Sequence, residues 1–319
     1  MKLWLVTGLS VLVAGGAVAL VVVDPAPWGS GKPSLAQRHP ASTHPTPSRS
    51  SRPQGRPASP FALRPAPSRL PVHVEFAHAP LAGVLFDVHT GRVLWQRHAR
   101  RQLPIASLTK MITALIVARR DRPDDPVLIT PQALAYEGSG IGVLPKGKKV
   151  PLRDLFDGLL LVSGNDAAIA LAQHDAGSVP AFVRRMNLWA RRLGLRCSHF
   201  SSPSGIVDAD NYSCPRDLAT LARADLANPR IRRVAGADHS RFPFPVKGGY
   251  LDLYNNNPFI RLGMKGITGL KTGYTDAAGR CYVITRKLDG RELGVVLLDT
   301  PNPLDQVPAL LGAGFNAAR

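Results

Sequence analysis

Hydrophobic and polar positions alternate with a different period in successive parts of the chain. Residues 3–23 are apolar without a single charge, interrupted only by Thr7 and Ser10. At about 1.5 Å rise per residue, a helix of that length just crosses a hydrocarbon layer of about 30 Å. Ala17-Val18-Ala19 offers a small-residue cleavage site, but the apolar run continues through Val23. The pattern therefore favours an uncleaved anchor (1–23), with secretion as the outcome if the segment is cut. Residues 24–71 lose all periodicity, as prolines recur among Ser, Thr, Gly and Ala. Such a stretch buries too little apolar surface to offset its ordering entropy and predicts an extended linker.

Periodicity returns in residues 72–319, the expected folded domain. Strands are predicted at 82–88 and 92–96 around Thr90-Gly91, and at 281–288 and 292–298 around Asp289-Gly290, a two-residue hairpin signal. Between them the apolar spacing turns helical over 107–119, 152–173, 179–193 and 215–226, and a last helix is expected over 304–317. Ser178 suits the N-cap of the helix at 179, with Pro180 in its first turn, and Ser213 lies near the start of the helix at 215. Strands at both ends with helices between predict an α/β sheet whose first and last strands are neighbours.

Composition narrows the function classes. The chain has 319 residues, 45% hydrophobic, which is enough to build a core and excludes a wholly disordered or collagen-like chain. Forty Lys+Arg against 22 Asp+Glu give a net charge of +18. In the linker the basic residues Lys32, Arg38, Arg49, Arg52, Arg56, Arg64 and Arg69 face only Asp24. The plain reading is a solvated, self-repelling tether; attraction to anionic membrane headgroups or wall polymers is the sharper one. Nucleic-acid binding fits the charge but not the export signal or the lack of interleaved aromatics. The nine histidines form no metal signature, so no metal and no cofactor is expected, and His174 and His199 read as ordinary structural or surface residues. Cys197 and Cys214 flank a loop-like stretch and would pair in an oxidising compartment; two buried free thiols are the alternative. Cys281 sits in an apolar strand, as a buried thiol would.

Three short motifs carry the candidate chemistry. Ser107-Leu108-Thr109-Lys110 opens an apolar helical pattern, and its i to i+3 spacing puts hydroxyl and amine one turn apart on one face. Serine is a weak nucleophile until a base takes its proton, and a desolvated lysine near another cation can be that base. Ser163-Gly164-Asn165 interrupts an apolar run, as a loop lining a cavity between helices would. Lys271-Thr272-Gly273, read as an edge strand, offers a cation, a hydroxyl and open backbone to an anionic ligand. Singly these read as a helix cap, a helix break and a surface turn. Jointly, S-x-x-K, S-x-N and K-T-G resemble the serine enzymes that bind penicillin. Phe86-Asp87, Pro104-Ile105-Ala106, Asn165-Asp166-Ala167-Ala168, Ser202-Pro203-Ser204-Gly205, Asp217-Leu218-Ala219, Asn255-Asn256-Asn257 and 275–279 extend the likeness. Over roughly residues 75 to 315 the chain resembles the low-molecular-mass penicillin-binding proteins, the serine-type D-alanyl-D-alanine carboxypeptidases of peptidase family S11.

The resemblance implies a serine β-lactamase/penicillin-binding-protein transpeptidase-like fold, an antiparallel sheet flanked by helices plus a helical subdomain. It implies Ser107 as nucleophile toward peptidoglycan stem pentapeptides, Lys110 as its base, Ser163 as proton relay and Asn165 as holder of a substrate amide. Lys271, Thr272 and Gly273 would receive the substrate carboxylate strand, and the backbone N–H groups of Ser107 and Tyr274 would form the oxyanion hole. β-Lactams would be covalent inhibitors. Efficient β-lactam hydrolysis is not expected, because none of Glu75, Glu137 and Glu292 stands in the Glu-x-x-x-Asn context that deacylation uses. A D,D-endopeptidase shares the same parts and stays open, whereas a non-catalytic penicillin sensor has no need of an intact Ser107 and Lys110. The Arg that some relatives use for the carboxylate has no counterpart between Glu292 and Ala318.

Overall fold

A computed structural model describes residues 59–206 and 209–317; the expected anchor and the linker up to residue 58 lie outside the described residues. In chain order, β1 (Ala82–Asp87), β2 (Val93–Arg97) and β3 (Leu103–Pro104) lead into a 3-10 turn (Ala106–Thr109) that continues as α1 (Lys110–Arg120). There follow β4 (Pro126–Leu128), α2 (Pro131–Leu134), β5 (Lys149–Pro151), α3 (Leu152–Leu161), α4 (Asn165–Ala176) and α5 (Val179–Leu193). Next come β6 (Tyr212–Ser213), α6 (Pro215–Leu226), α7 (Pro229–Ala235), β7 (His239–Pro243), β8 (Tyr250–Tyr254) and α8 (Pro258–Arg261). Three long strands, β9 (Ile267–Thr275), β10 (Gly279–Leu288) and β11 (Arg291–Leu298), precede the closing α9 (Pro303–Asn316).

The two predicted hairpins build the main sheet. Asp289 (φ 47°) and Gly290 (φ 77°) both take the left-handed conformation that a two-residue hairpin turn needs, and β10 and β11 pair from there outward. The sheet order is β2-β1-β11-β10-β9, so the first and last strands are neighbours as expected, running from Ala82 opposite Leu298 to Asp87 opposite Leu293. Strand period assigns the faces. Val84, Phe86, Val296 and Leu298 turn to the helical core with α1 and α6, while Leu85, Val295 and Leu297 turn to α9, against Val307, Leu310 and Leu311. Each such side chain, fully withdrawn from water, contributes about 1.5–3 kcal/mol. The order leaves β9, which carries Lys271-Thr272-Gly273, at the edge.

Two helices have the expected bounds. α5 starts with Ser178 Oγ accepting from Ala181 N–H and stops at Gly194 (φ 74°). α6 spans Pro215–Leu226, with Cys214 as its N-cap and Ser213 just before it. The expected helix over 152–173 is instead two helices, α3 and α4, parted at Val162–Gly164. The apolar period is continuous across the break, but the head of α4 is tied to the 139–142 segment. Asn165 N–H donates to Ser139 O, and the Asp166 carboxylate takes Ala167 N–H together with Ile141 and Gly142 N–H.

The boundary placed at residue 72 needs correction. Residues 59–71, read above as linker, lie on the domain. Leu63 is buried, Arg64 N–H donates to Gly91 O, and Val72 N–H donates to Leu94 O. Arg223, almost fully buried on α6, donates to Phe61 O and Ala62 O with Nη1 and to Val88 O and His89 O with Nε and Nη2. Arg216 donates to Leu63 O and Arg64 O. A proline-rich strap with few N–H donors is thus held by its carbonyls, through guanidinium forks from one helix. Cys197 and Cys214 form a disulfide with Cα atoms 5.6 Å apart, while Cys281 is buried in β10.

One buried charge stands apart from this pattern. Both carboxylate oxygens of Asp225 are buried without a hydrogen-bond partner, and burial, opposed only by the charge of Arg119, pushes its pKa well above the usual range. The folded state therefore binds the Asp225 proton more tightly than the unfolded chain. Its contribution to stability is present below the unfolded pKa and is lost as pH rises through the folded one. Asp225→Leu should raise stability at neutral pH by about 1–3 kcal/mol and flatten the dependence on pH above about 4, as read by thermal unfolding across pH.

Candidate active site

The site is assembled where the start of α1, the α3–α4 break and the edge strand meet. The turn before α1 is strained: Ala106 has φ 47°, in the left-handed region that non-glycine residues rarely adopt. Thr109 Oγ1 donates back to Ala106 O and accepts from Asn211 Nδ2, so the turn is fixed from both sides. Ser107 is thereby presented one turn before Lys110.

Lys110 is wholly buried, with Nζ 2.9 Å from Ser107 Oγ, 2.6 Å from Asn165 Oδ1 and 2.8 Å from Ser204 O. Burial is the largest cause that lowers its pKa well below the ordinary value; the charge of Lys271 adds to it and that of Asp166 opposes it. Its partners fix the geometry of the amine. Asn165 Nδ2 donates to Glu137 O at 2.5 Å, which turns Oδ1 to the lysine. Asn165 Oδ1 and Ser204 O can only accept, so each takes one N–H of the amine. The third position of the amine is turned to Ser107 Oγ, so loss of one proton from Lys110 would leave a lone pair facing the serine hydroxyl. A serine whose proton lies against a desolvated amine is an activated nucleophile.

The third side is β9. Lys271 is also buried; its Nζ donates to Thr272 O at 2.8 Å, and burial pulls its pKa down to about 7. Thr272 Oγ1 lies 3.4 Å from Asn256 Oδ1. Gly273 lets the strand pass the serine turn, since a Cβ there would sit 2.9 Å from Ser107 N. Ser163 closes the opposite wall with φ 61°, its Oγ buried and without a hydrogen-bond partner among the described residues. Ser107, Ser163, Thr272, Gly273 and Tyr274 line one cavity of about 320 Å³ above the two lysines.

The structure thus brings together all eight residues singled out for chemistry, and places the disulfide elsewhere. It adds Ser139, Arg280 and Thr113, which sequence reasoning did not name, and gives contacts to Asn256, Asp166 and the 202–205 segment, which it quoted only as part of the likeness. Ser139 and Asn256 line the cavity, and Asp166 holds the 141–142 amides beside it. Arg280 lines it too, because β10 sets Arg280 directly across from Tyr274. Ser202 Oγ accepts from Gly205 N–H, and Thr113 Oγ1 donates to Pro203 O, holding the carbonyl that Lys110 needs. Glu292 is far from this chemistry in role: its buried carboxylate takes the Arg232 fork at 3.0 Å and Thr268 Oγ1 at 2.7 Å. Metal-type ligands also gather at Asp121, Asp125 and His174, around the end of α1 remote from Ser107, where His174 Nε2 lies 3.7 Å from Asp125. That spacing was not visible in the sequence, and it touches nothing in the serine site.

Sheet, helices and a serine held against a buried lysine make the fold of the penicillin-binding serine DD-peptidases. A solved D-alanyl-D-alanine carboxypeptidase of Mycobacterium tuberculosis H37Rv superposes with a TM-score of 0.72 at 29% identity, over 79% of this chain and 96% of that one. The D-alanyl-D-alanine carboxypeptidase family model matches residues 72–302, and the chain belongs to that family, peptidase S11. D-alanyl-D-alanine carboxypeptidase DacF of Bacillus subtilis is 30% identical over 252 residues, 76% of this chain. The match spans 64% of DacF's own length, so less than two thirds of that relative is represented here. A D-alanyl-D-alanine endopeptidase of Pseudomonas aeruginosa is 32% identical over 75% of this chain and 76% of its own.

Gly273→Ala should slow acylation by penicillin on the order of 100-fold, because β9 must retreat from the serine turn by a fraction of an ångström. Thermal stability should change little, since the substituted residue is on the edge strand; the acylation rate and the melting temperature measured on one preparation check both.

Proposed function

We propose that the chain is a serine-type D-alanyl-D-alanine carboxypeptidase that removes the terminal D-alanine from peptidoglycan stem pentapeptides. The observation that carries the reading is the Lys110 Nζ to Ser107 Oγ separation of 2.9 Å with the amine fully buried. Neutral Lys110 takes the Ser107 proton as Oγ attacks the carbonyl between the last two D-alanines. The oxyanion lies between the N–H groups of Ser107 and Tyr274. Ser163 Oγ passes a proton to the nitrogen of the breaking C–N bond, and D-alanine departs as the free amine. Water then cleaves the ester on Ser107. In a β-lactam the same attack opens the ring, but the leaving nitrogen stays tethered to the acyl group, so the ester persists.

Lys271 and Thr272 receive the terminal carboxylate, and Arg280 supplies the further cation at the mouth that the sequence reading had not found. Arg280→Ala should then raise KM for the pentapeptide roughly 10-fold or more, as loss of a charged hydrogen bond would, and leave kcat nearly unchanged. Steady-state kinetics reads the split.

The two lysines also set the sign of the pH dependence. Activity rises with pH as Lys110 loses its proton and falls as Lys271, near 7 in the free enzyme, loses the charge that holds the carboxylate. The kcat/KM profile should therefore be bell-shaped with its alkaline limb near neutrality. Lys271→Arg, which keeps its charge, should move that limb out of the neutral range.

Endopeptidase action on cross-links is the second reading, favoured by the name of the Pseudomonas relative. The deciding experiment gives the full chain a pentapeptide and a cross-linked dimer, with Ser107→Ala as control, and follows products by mass spectrometry. Loss of one alanine from the pentapeptide supports the carboxypeptidase; cleavage of the dimer alone replaces it with the endopeptidase. The anchor over 1–23 and an extracytoplasmic domain remain part of the proposal, supported by the apolar run and by a disulfide suited to an oxidising compartment. No helix among the described residues is long and apolar enough to cross a membrane.

A further inference from the structure

A larger concavity than the serine site, about 660 Å³, lies where the strap, the end of α5 and the start of α6 converge. Five arginines line it: Arg100, Arg191, Arg192, Arg196 and Arg216. No carboxylate lies within 4.0 Å of any of their side-chain nitrogens among the described residues. The one acid in the wall, Asp217, is taken from inside by Cys197 N–H and Ser198 Oγ. Arg192 leans on Trp189, and Arg216 spends Nη2 on the strap, while Arg100, Arg191 and Arg196 have no side-chain hydrogen bond among the described residues.

An ordinary surface explanation covers part of this. Arg191 and Arg192 sit in the last turn of α5, where cations complement the helix dipole. Arg216 is at the opposite kind of site, the first turn of α6, where the dipole is positive and a cation is disfavoured. Arg100 comes from the loop after β2, and is close enough that its charge helps lower the pKa of Arg216, after burial. Four segments thus bring like charges together around one hollow, and the Cys197–Cys214 disulfide fixes two of its walls. Mutual repulsion of this kind is relieved by an anion, and guanidinium forks fit phosphate oxygens in pairs.

We propose that this hollow is a second binding site, independent of the reaction at Ser107, for a phosphodiester-bearing anion. Five cations exceed what one carboxylate requires, so the ligand presents several phosphates in a row or a field of them. Two sources share that chemistry: a wall polymer of polyol phosphates and a surface of anionic phospholipid headgroups.

The test uses the full chain and two triple variants of equal charge loss. Arg100→Gln/Arg191→Gln/Arg196→Gln strips the hollow of its unpaired cations, while Arg92→Gln/Arg122→Gln/Arg261→Gln removes three exposed arginines elsewhere. The probes are a soluble glycerol phosphate oligomer and vesicles of phosphatidylglycerol in phosphatidylcholine, each titrated at fixed salt. Penicillin acylation at the wild-type rate certifies that each variant is folded. The proposal expects the hollow variant to bind at least one probe 10-fold or more weaker than the elsewhere variant does. The probe that separates the two variants identifies the source. Equal binding by both variants to both probes would overturn the site.

Discussion

A lysine amine cannot rest in a dry interior as an ordinary ammonium; it must either lose its proton or have every hydrogen bond met by acceptors. Lys110 sits under that constraint, and much of the architecture around it can be understood as meeting it. Its acceptors come from three separate segments, the serine turn, the head of α4 and the 202–205 loop. Each segment is secured by a bond that has no other evident purpose: Asn165 to Glu137 O, Thr113 to Pro203 O, Thr109 to Ala106 O. Remove one, and Lys110 loses an acceptor that orients its amine, so Nζ is no longer held against Ser107 Oγ.

The same constraint explains why strained backbone and a second buried cation are tolerated here. Ala106 and Ser163 adopt left-handed conformations at the two sides of the cavity, each aiming a hydroxyl-bearing segment that a relaxed helix would direct elsewhere. Lys271 lies close enough for its charge to press on Lys110, and its own burial brings it near neutrality. In the proposed reaction, two lysines of one residue type take opposite duties, base and carboxylate holder, through differences in surroundings alone.

Much of this could be read from the chain before the structure. The Asp289-Gly290 turn, the bounds of α5 and α6, and the neighbouring first and last strands follow from local chemistry that acts at its own position. The three motifs were legible because their residue types make sense only together. What escaped was whatever depends on register or on distant partners. The α3–α4 break is invisible to a helical period, although the Ser163-Gly164-Asn165 triplet read as a loop between helices; its partners in the 137–142 loop were not legible. Arg280 matters only because β10 sets it opposite Tyr274. The strap was assigned to the linker because proline-rich sequence forms no regular element, yet carbonyls alone suffice when arginines of another helix donate to them.

That strap changes how load would travel through the molecule. Tension applied along the chain at Ser59 meets guanidinium bonds from Arg216 and Arg223 before it meets any strand of the sheet. Both arginines belong to α6, whose head is riveted by the disulfide and whose face backs β1 and β11. A tug would be shared out sideways into the rigid centre of the domain, and the edge strand with its Lys271-Thr272-Gly273 cradle would stay slack. The serine turn and its close approach to Gly273 would lie off the path of that load.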